Sequence, residues 1–142
     1  MSLSRRRTAF AAACGIVLAA FSAAGAQAQR APAAPPAIAA EFRQFIGSFR
    51  QAVQANDRSA VTALTRLPML HASDLHDRAA FEGRVYRQIF TARNRSCLQT
   101  ARPVYDRSGD GTESYTILCG DMFFLFTKKE DGFRFAETGE ND

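Results

Sequence analysis

Apolar residues in the segment IAAEFRQFIGSFRQAVQAND recur at Ile38, Phe42, Phe45, Phe49 and Val53, at steps of four, three, four and four. That spacing gathers them into one stripe of an α-helix and turns Arg43, Gln44, Arg50, Gln51 and Gln54 to water. Gly47 lowers helix propensity by about 1 kcal/mol relative to Ala, and the stripe outweighs it. Asn56 and Asp57 are expected to end this helix and cap a shorter one, SAVTALTRL, carried by Val61, Leu64 and Leu67. Pro68 stops the helical pattern, leaving PMLHA as an extended crossing segment. A second amphipathic helix follows, capped by Ser73, Asp74 or Asp77, with Phe81, Val85, Ile89 and the adjacent Tyr86 and Phe90 in its buried stripe. Arg78, Arg84, Arg87, Arg93 and Arg95 fall mainly on the other side, a solvated face by default.

After Cys97 the period shortens. LQTARPVYD alternates Thr100, Arg102 and Val104 with Ala101, Pro103 and Tyr105, which predicts a strand that Pro103 confines to a sheet edge or bulge. SYTILCGDMFFLFTKK is too long for one ordinary strand of about 5 to 6 residues. Gly120 and Asp121 offer a two-residue hairpin turn between YTILC and MFFLF, and that division is preferred to one long bent strand. The KEDG turn then leads to a last strand, FRFAET, before an acidic tail over 139–142. Helices first and an antiparallel sheet after them predict a single α+β domain over 38–138.

The residues ahead of that domain change the charge argument. MSLSRRRTAFAAACGIVLAAFSAAGAQAQR places three Arg before an Ala-rich apolar run that ends in Ala26, Gln27, Ala28, the pattern of a cleavable secretory signal peptide over 1–28. The run falls short of the roughly 20 strongly apolar residues of a membrane span. No transmembrane segment is expected after cleavage. QRAPAAPPA, residues 29–37, is too rich in Pro and Ala to pack and predicts a flexible tether. Removing residues 1–28 takes away three Arg and no acid, so the formal +4 becomes 15 basic against 14 acidic side chains, or +1. The basic balance therefore gives no warrant for nucleic-acid binding. A periplasmic or secreted location also bears on cysteine. With Cys14 lost in the signal peptide, Cys97 and Cys119 remain in an oxidising compartment and are expected to bond, two buried thiols being the alternative.

Candidate chemistry is sparse. DRSGDGTESYTI puts Asp106, Ser108 and Asp110 at the first, third and fifth positions of a calcium loop, with Gly111 at the bend. Its twelfth position, where a closing Glu belongs, is Ile117, so a turn between two strands is the preferred reading and the three residues stay weak metal candidates. His71 and His76 in HASDLHD suggest zinc with Asp74 or Asp77, but they lie five apart, off the three-or-four spacing of a helical pair. They are read as surface histidines near a helix cap. For acid–base chemistry Asp121, flanked by apolar runs, is the clearest carboxylate, with Tyr86, Tyr105 or Tyr115 as a phenol partner. The plainer reading sets Asp121 at an exposed hairpin tip. No phosphate loop, nucleophile elbow or dinucleotide fingerprint is present, and no cofactor is expected.

The order of a long helix, a short helix, the LPML crossing, the DRAAFEGRVYRQIF helix and a Phe-rich sheet resembles the nuclear transport factor 2-like, or SnoaL-like, cone fold of small exported bacterial proteins. The spacing from RLP to AAF and VYRQIF, with the GD turn and MFF, carries the resemblance over residues 38–138. It implies a curved antiparallel sheet wrapped around the helices, with a mouth that can hold an apolar ligand, in a superfamily that includes isomerases and hydrolases. The catalytic Tyr and Asp of those isomerases are not carried over, since no local motif places them here. Twelve Phe, seven of them after residue 80, suggest a Phe-lined concavity. The leading expectation is a non-catalytic exported domain that binds a small apolar ligand or an envelope partner. A cone-fold enzyme using Asp121 with Tyr115 or Tyr86 is one alternative; an accessory or inhibitor module using the Arg-rich face or a strand edge is another.

Overall fold

A computed structural model describes residues 32–141. The expected signal peptide and the first residues of the tether lie outside the described residues. The tether ends sooner than expected, because α1 runs Pro36–Gln54 and begins on a proline, whose missing N–H is one the first helical turn leaves unused. Phe42, Ile46, Phe49, Ala52 and Val53 form its buried face. Arg50, expected to face water, instead reaches the end of a later helix, donating to the carbonyls of Leu98 at 2.7 Å and Ala101 at 2.6 Å.

Asp57 caps α2 (Arg58–Ala63) by accepting from the Ala60 amide at 2.9 Å. This helix is shorter than its apolar spacing suggests, since Thr65–His71 is already strand β1. The chain then turns back at once into β2 (Asp74–His76), which was not foreseen. Ala72 and Ser73 both hold positive φ there, at 50° and 67°. Tight hairpin turns of that geometry usually advertise themselves with Asn-Gly or Asp-Gly, and Ala-Ser carries no such signal.

Asp77 caps the next helical stretch through the Ala80 amide, as one of the three candidate caps. That stretch is α3 (Arg78–Ala80), a π-helical segment (Phe81–Val85) and α4 (Tyr86–Ile89) in succession. A separate helix, α5 (Ala92–Thr100), replaces the start of the predicted strand. Two side chains explain the change: Thr91 accepts from the Asn94 amide at 3.2 Å, and buried Asn94 donates to the Ile89 carbonyl at 2.8 Å. One helix is thus ended and the next begun within a few residues. Pro103 precedes β3 (Val104–Arg107), where it interrupts no ladder.

The hairpin turn at Gly120 and Asp121 is present between β4 (Glu113–Cys119) and β5 (Met122–Lys129), with Gly120 at φ +65°. β6 (Gly132–Glu140) takes in much of the expected acidic tail. The sheet has six strands in the order β2-β1-β6-β5-β4-β3 and is not closed. It is mixed rather than wholly antiparallel, because β1 runs parallel to β6, with an irregularity between Thr65 and Leu70 that spans Pro68. The molecule is α+β. Phe42 stacks on Tyr115 with ring centroids 3.7 Å apart, and Phe49 meets Phe126 edge-on at 5.1 Å. Cys97 on α5 is bonded to Cys119 on β4, with Cα atoms 5.8 Å apart.

Candidate interaction surface

Cross-strand partners share one face of a sheet, and successive residues alternate between faces. The helix-facing side carries Tyr105, Tyr115, Ile117, Phe124, Phe126, Phe133 and Phe135, all buried. Together with Phe42, Phe49, Phe81 and Phe90 they fill the space between helices and sheet. The Phe surplus that suggested a lined concavity is therefore spent on core: Phe90 approaches Phe124 at 6.2 Å and Phe135 at 5.9 Å, ring against ring. Each such ring, fully buried, contributes roughly 1.5–3 kcal/mol.

The opposite side of the sheet is composed differently. Pairing links Leu75 to Leu70, Leu70 to Glu137, Glu137 to Leu125, Leu125 to Thr116 and Thr116 to Val104, one row that crosses all six strands. Beside it Gly139 pairs with Phe123 and Phe123 with Leu118. A Cβ on Gly139 would stand 3.1 Å from the Phe123 ring, which therefore lies across that glycine. The strongly exposed large apolar side chains among the described residues are Leu75 at 68%, Val104 at 48% and Leu118 at 49%. All three belong to this face. Single exposed leucines mean little, and what distinguishes these three is that they share one side of the sheet. Glu137, half-buried in the middle of the row, forms no ion pair among the described residues.

The residues singled out from sequence are dispersed. Asp121 is exposed at the hairpin tip, its carbonyl accepting from the Asn141 amide at 2.6 Å. It does not meet Tyr115, which stacks on Phe42, or Tyr86, whose hydroxyl donates to Asn56 at 3.0 Å. Desolvation raises the pKa of both tyrosines, offset in part by Arg95 and Arg58 at Tyr86 and by Arg43 at Tyr115. The structure does pair a carboxylate with a phenol elsewhere. The Tyr105 hydroxyl donates to Glu113 Oε2, while Arg107 Nε lies 3.7 Å from Oε1. The hydrogen bond to Glu113 is the main cause of the raised pKa of Tyr105. Both carboxylate oxygens are thus engaged within the chain. Tyr105 is one of the three tyrosines expected as a phenol partner, but the carboxylate it meets is Glu113 and not Asp121. Only the antiparallel register of β3 on β4 brings the two together.

The Asp106 loop is a β-turn connection. Asp106 lies in β3, the Ser108 amide donates to the Thr112 carbonyl at 3.0 Å, and Asp110 accepts from the Thr112 amide at 2.9 Å. That amide holds the Asp110 carboxyl below its ordinary pKa. No group of three or more His, Cys, Asp or Glu suited to a metal occurs among the described residues. His76 departs from the surface reading: it is buried on β2, with Nε2 3.2 Å from the His71 carbonyl. Asp77 is committed to its cap. The arginines divide between two stretches of helix, with Arg78, Arg84, Arg87 and Arg93 exposed and Arg95 half-buried. A surface depression of about 800 Å³ lies between the β3–β4 and β5–β6 turns, and its Arg66 and Asp131 pair with each other at 3.2 Å.

No helix among the described residues is long and apolar enough to cross a membrane. Comparison with protein-family models finds no match to this chain, and comparison with curated proteins finds none.

Proposed function

We propose that the chain is an exported, disulfide-linked interaction module of the cell envelope that binds through the outer face of its sheet. The observation that carries this reading is that the exposed large apolar side chains among the described residues, Leu75, Val104 and Leu118, all lie on the outer face of the sheet. Between a small apolar ligand and an envelope partner, the filled aromatic core supports the partner. The cone-fold resemblance is kept as part of the proposal, with helices laid on the inner side of a curved open sheet and its mouth occupied by the protein's own rings. Export and cleavage after Ala28 are proposed on the strength of the opening Arg cluster and Ala-rich run.

In-cell photo-crosslinking tests the reading. A benzoyl-phenylalanine placed at Leu118 or Val104 is expected to give protein adducts, and one placed at Gln44 or Arg87 is expected to give none. Adducts confined to the helical positions, or no adduct from any position, would sink it. N-terminal sequencing of the envelope-fraction protein is expected to begin at Gln29; a chain that still starts at Met1 contradicts export.

A further inference from the structure

We infer that the helical layer docks on an anionic phospholipid surface, which leaves the outer face of the sheet turned away from the membrane. The inference takes its setting from the export reading above and does not depend on the outer-face reading. Charge is divided unevenly within the molecule. Residues 36–102, which hold every helix, carry ten arginines against five acids, whereas residues 103–141 carry four cations against eight acids. A nearly neutral chain thus has a basic helical part and an acidic sheet part, and such asymmetry orients a protein at a charged surface even when its net charge is small.

Ion pairing sharpens the division. Of the five strand cations, four are matched: Arg66 and Arg134 to Asp131, Arg107 to Glu113 and Lys128 to Glu41. Of the eight helical arginines, Arg78 alone has a carboxylate partner among the described residues, Glu82 at 3.2 Å, and Arg50 is committed to the carbonyls at the end of α5. Arg43, Arg58, Arg84, Arg87, Arg93 and Arg95 form no ion pair there, and all but half-buried Arg95 are exposed. Tyr86 shows that these side chains converge from different elements. The Arg58 guanidinium of α2 lies 5.5 Å from the centre of the Tyr86 ring on α4, and Arg95 of α5 is the charge that most strongly opposes the raised pKa of that phenol. Asp57 also acts on Tyr86, but one of its carboxylate oxygens is held by the α2 cap and it pairs with neither arginine.

The chemistry of these cations points to phosphate. Every helical cation is an arginine, and both lysines of the chain lie on β5. A guanidinium fork holds phosphate oxygens two at a time, which an ammonium does not. A bilayer surface presents phosphates everywhere and demands no matching groove, which suits cations spread over separate helices. A nucleic-acid strand instead needs aromatic platforms beside the cations, and no Phe or Tyr ring among the described residues is exposed. Each arginine brought to an anionic leaflet strengthens binding about fivefold.

Vesicle co-sedimentation of protein expressed from the full chain tests the inference, with vesicles of phosphatidylcholine alone or with about 30% phosphatidylglycerol added. Binding is expected to the anionic vesicles alone, weakening at least tenfold between about 50 and 300 mM salt as the surface charge is screened. Arg58→Gln/Arg95→Gln and Arg84→Gln/Arg87→Gln are each expected to weaken it about tenfold or more. Arg107→Gln/Lys129→Gln, which removes the same two charges from the sheet, is expected to change it less than about twofold. Arg84 and Arg87 are both exposed, so their variant keeps the comparison should loss of half-buried Arg95 disturb the fold. Equal binding to neutral vesicles, binding to neither, or equal loss in the helical and sheet variants overturns the inference. Protein adducts from the photo-probe at Arg87 overturn it too, in favour of an acidic protein on this face. The vesicle results leave the outer-face reading untouched, since that stands or falls on the adducts from Leu118 and Val104.

Discussion

Tyr105 and Glu113 form the one carboxylate–phenol contact among the described residues, and it behaves as a structural clasp at the rim of the core. The carboxylate accepts from the phenol and lies beside Arg107, so a proton leaving Tyr105 would place two anions in contact. All three tyrosines have raised pKa values, and the chain has no Trp to obscure phenolate absorbance. Groups whose folded pKa is raised favour the fold below their unfolded value of about 10, and that contribution is lost as pH rises through the folded values. A spectrophotometric titration is therefore expected to show all three phenols ionising later in the folded protein than in urea. Glu113→Gln is expected to bring one of them, Tyr105, back toward the ordinary value, because a neutral amide no longer penalises the phenolate. An unchanged titration curve in that variant would remove Glu113 as the cause.

At the scale of elements, α5 is fastened more firmly than its composition suggests. It buries only Asn94 and Leu98. What holds it is the Thr91 cap, the Arg50 guanidinium on the carbonyls at its far end, and the bond from Cys97 to Cys119 on β4. The cysteines lie 22 residues apart, and in the chain-entropy account a loop of that size stabilises by about 3 kcal/mol. Replacing both cysteines by Ser is expected to cost about 2–4 kcal/mol in urea denaturation followed by circular dichroism. A loss below about 0.5 kcal/mol would mean that α5 is held by Arg50 and its caps alone. The sequence foretold the pairing of these cysteines from compartment and number. It did not foretell that one sits on a helix, because the Arg50 contact spans about 50 residues of chain and leaves no local periodic trace.

For the whole molecule, the partition of apolar residues between the two sheet faces decides what can bind where. The inner face is closed by rings contributed from α1, the helical stretch after Asp77 and strands β4 to β6. A small apolar ligand is then expected to leave the melting temperature unchanged. A pocket that bound such a ligand at one hundredth of its concentration would add about 2.7 kcal/mol, a rise of roughly 10 °C or more in a domain of this size. Thermal melts with and without about 100 μM of a medium-chain fatty acid distinguish the cases. A rise of several degrees would reopen the ligand reading.

The local pattern alone determined the α+β class, the α1 stripe, the Asp57 cap, the hairpin at Gly120 and Asp121, and the turn at Asp110. Each of these depends on residues within a few positions of one another: apolar spacing of 3.6 or 2, a side-chain oxygen three residues before an amide, a glycine able to hold positive φ. Tertiary structure decided the parallel pairing of β1 with β6, the β2 hairpin, the seat of α5, the meeting of Tyr105 with Glu113, and which apolar residues became core. Leu125 and Phe126 are neighbours in an unbroken apolar run, yet Phe126 is fully buried and Leu125 lies on the outer face. A run that is apolar at every position carries no alternation to mark its two sides, so only the layer of helices packed on one of them tells core from surface.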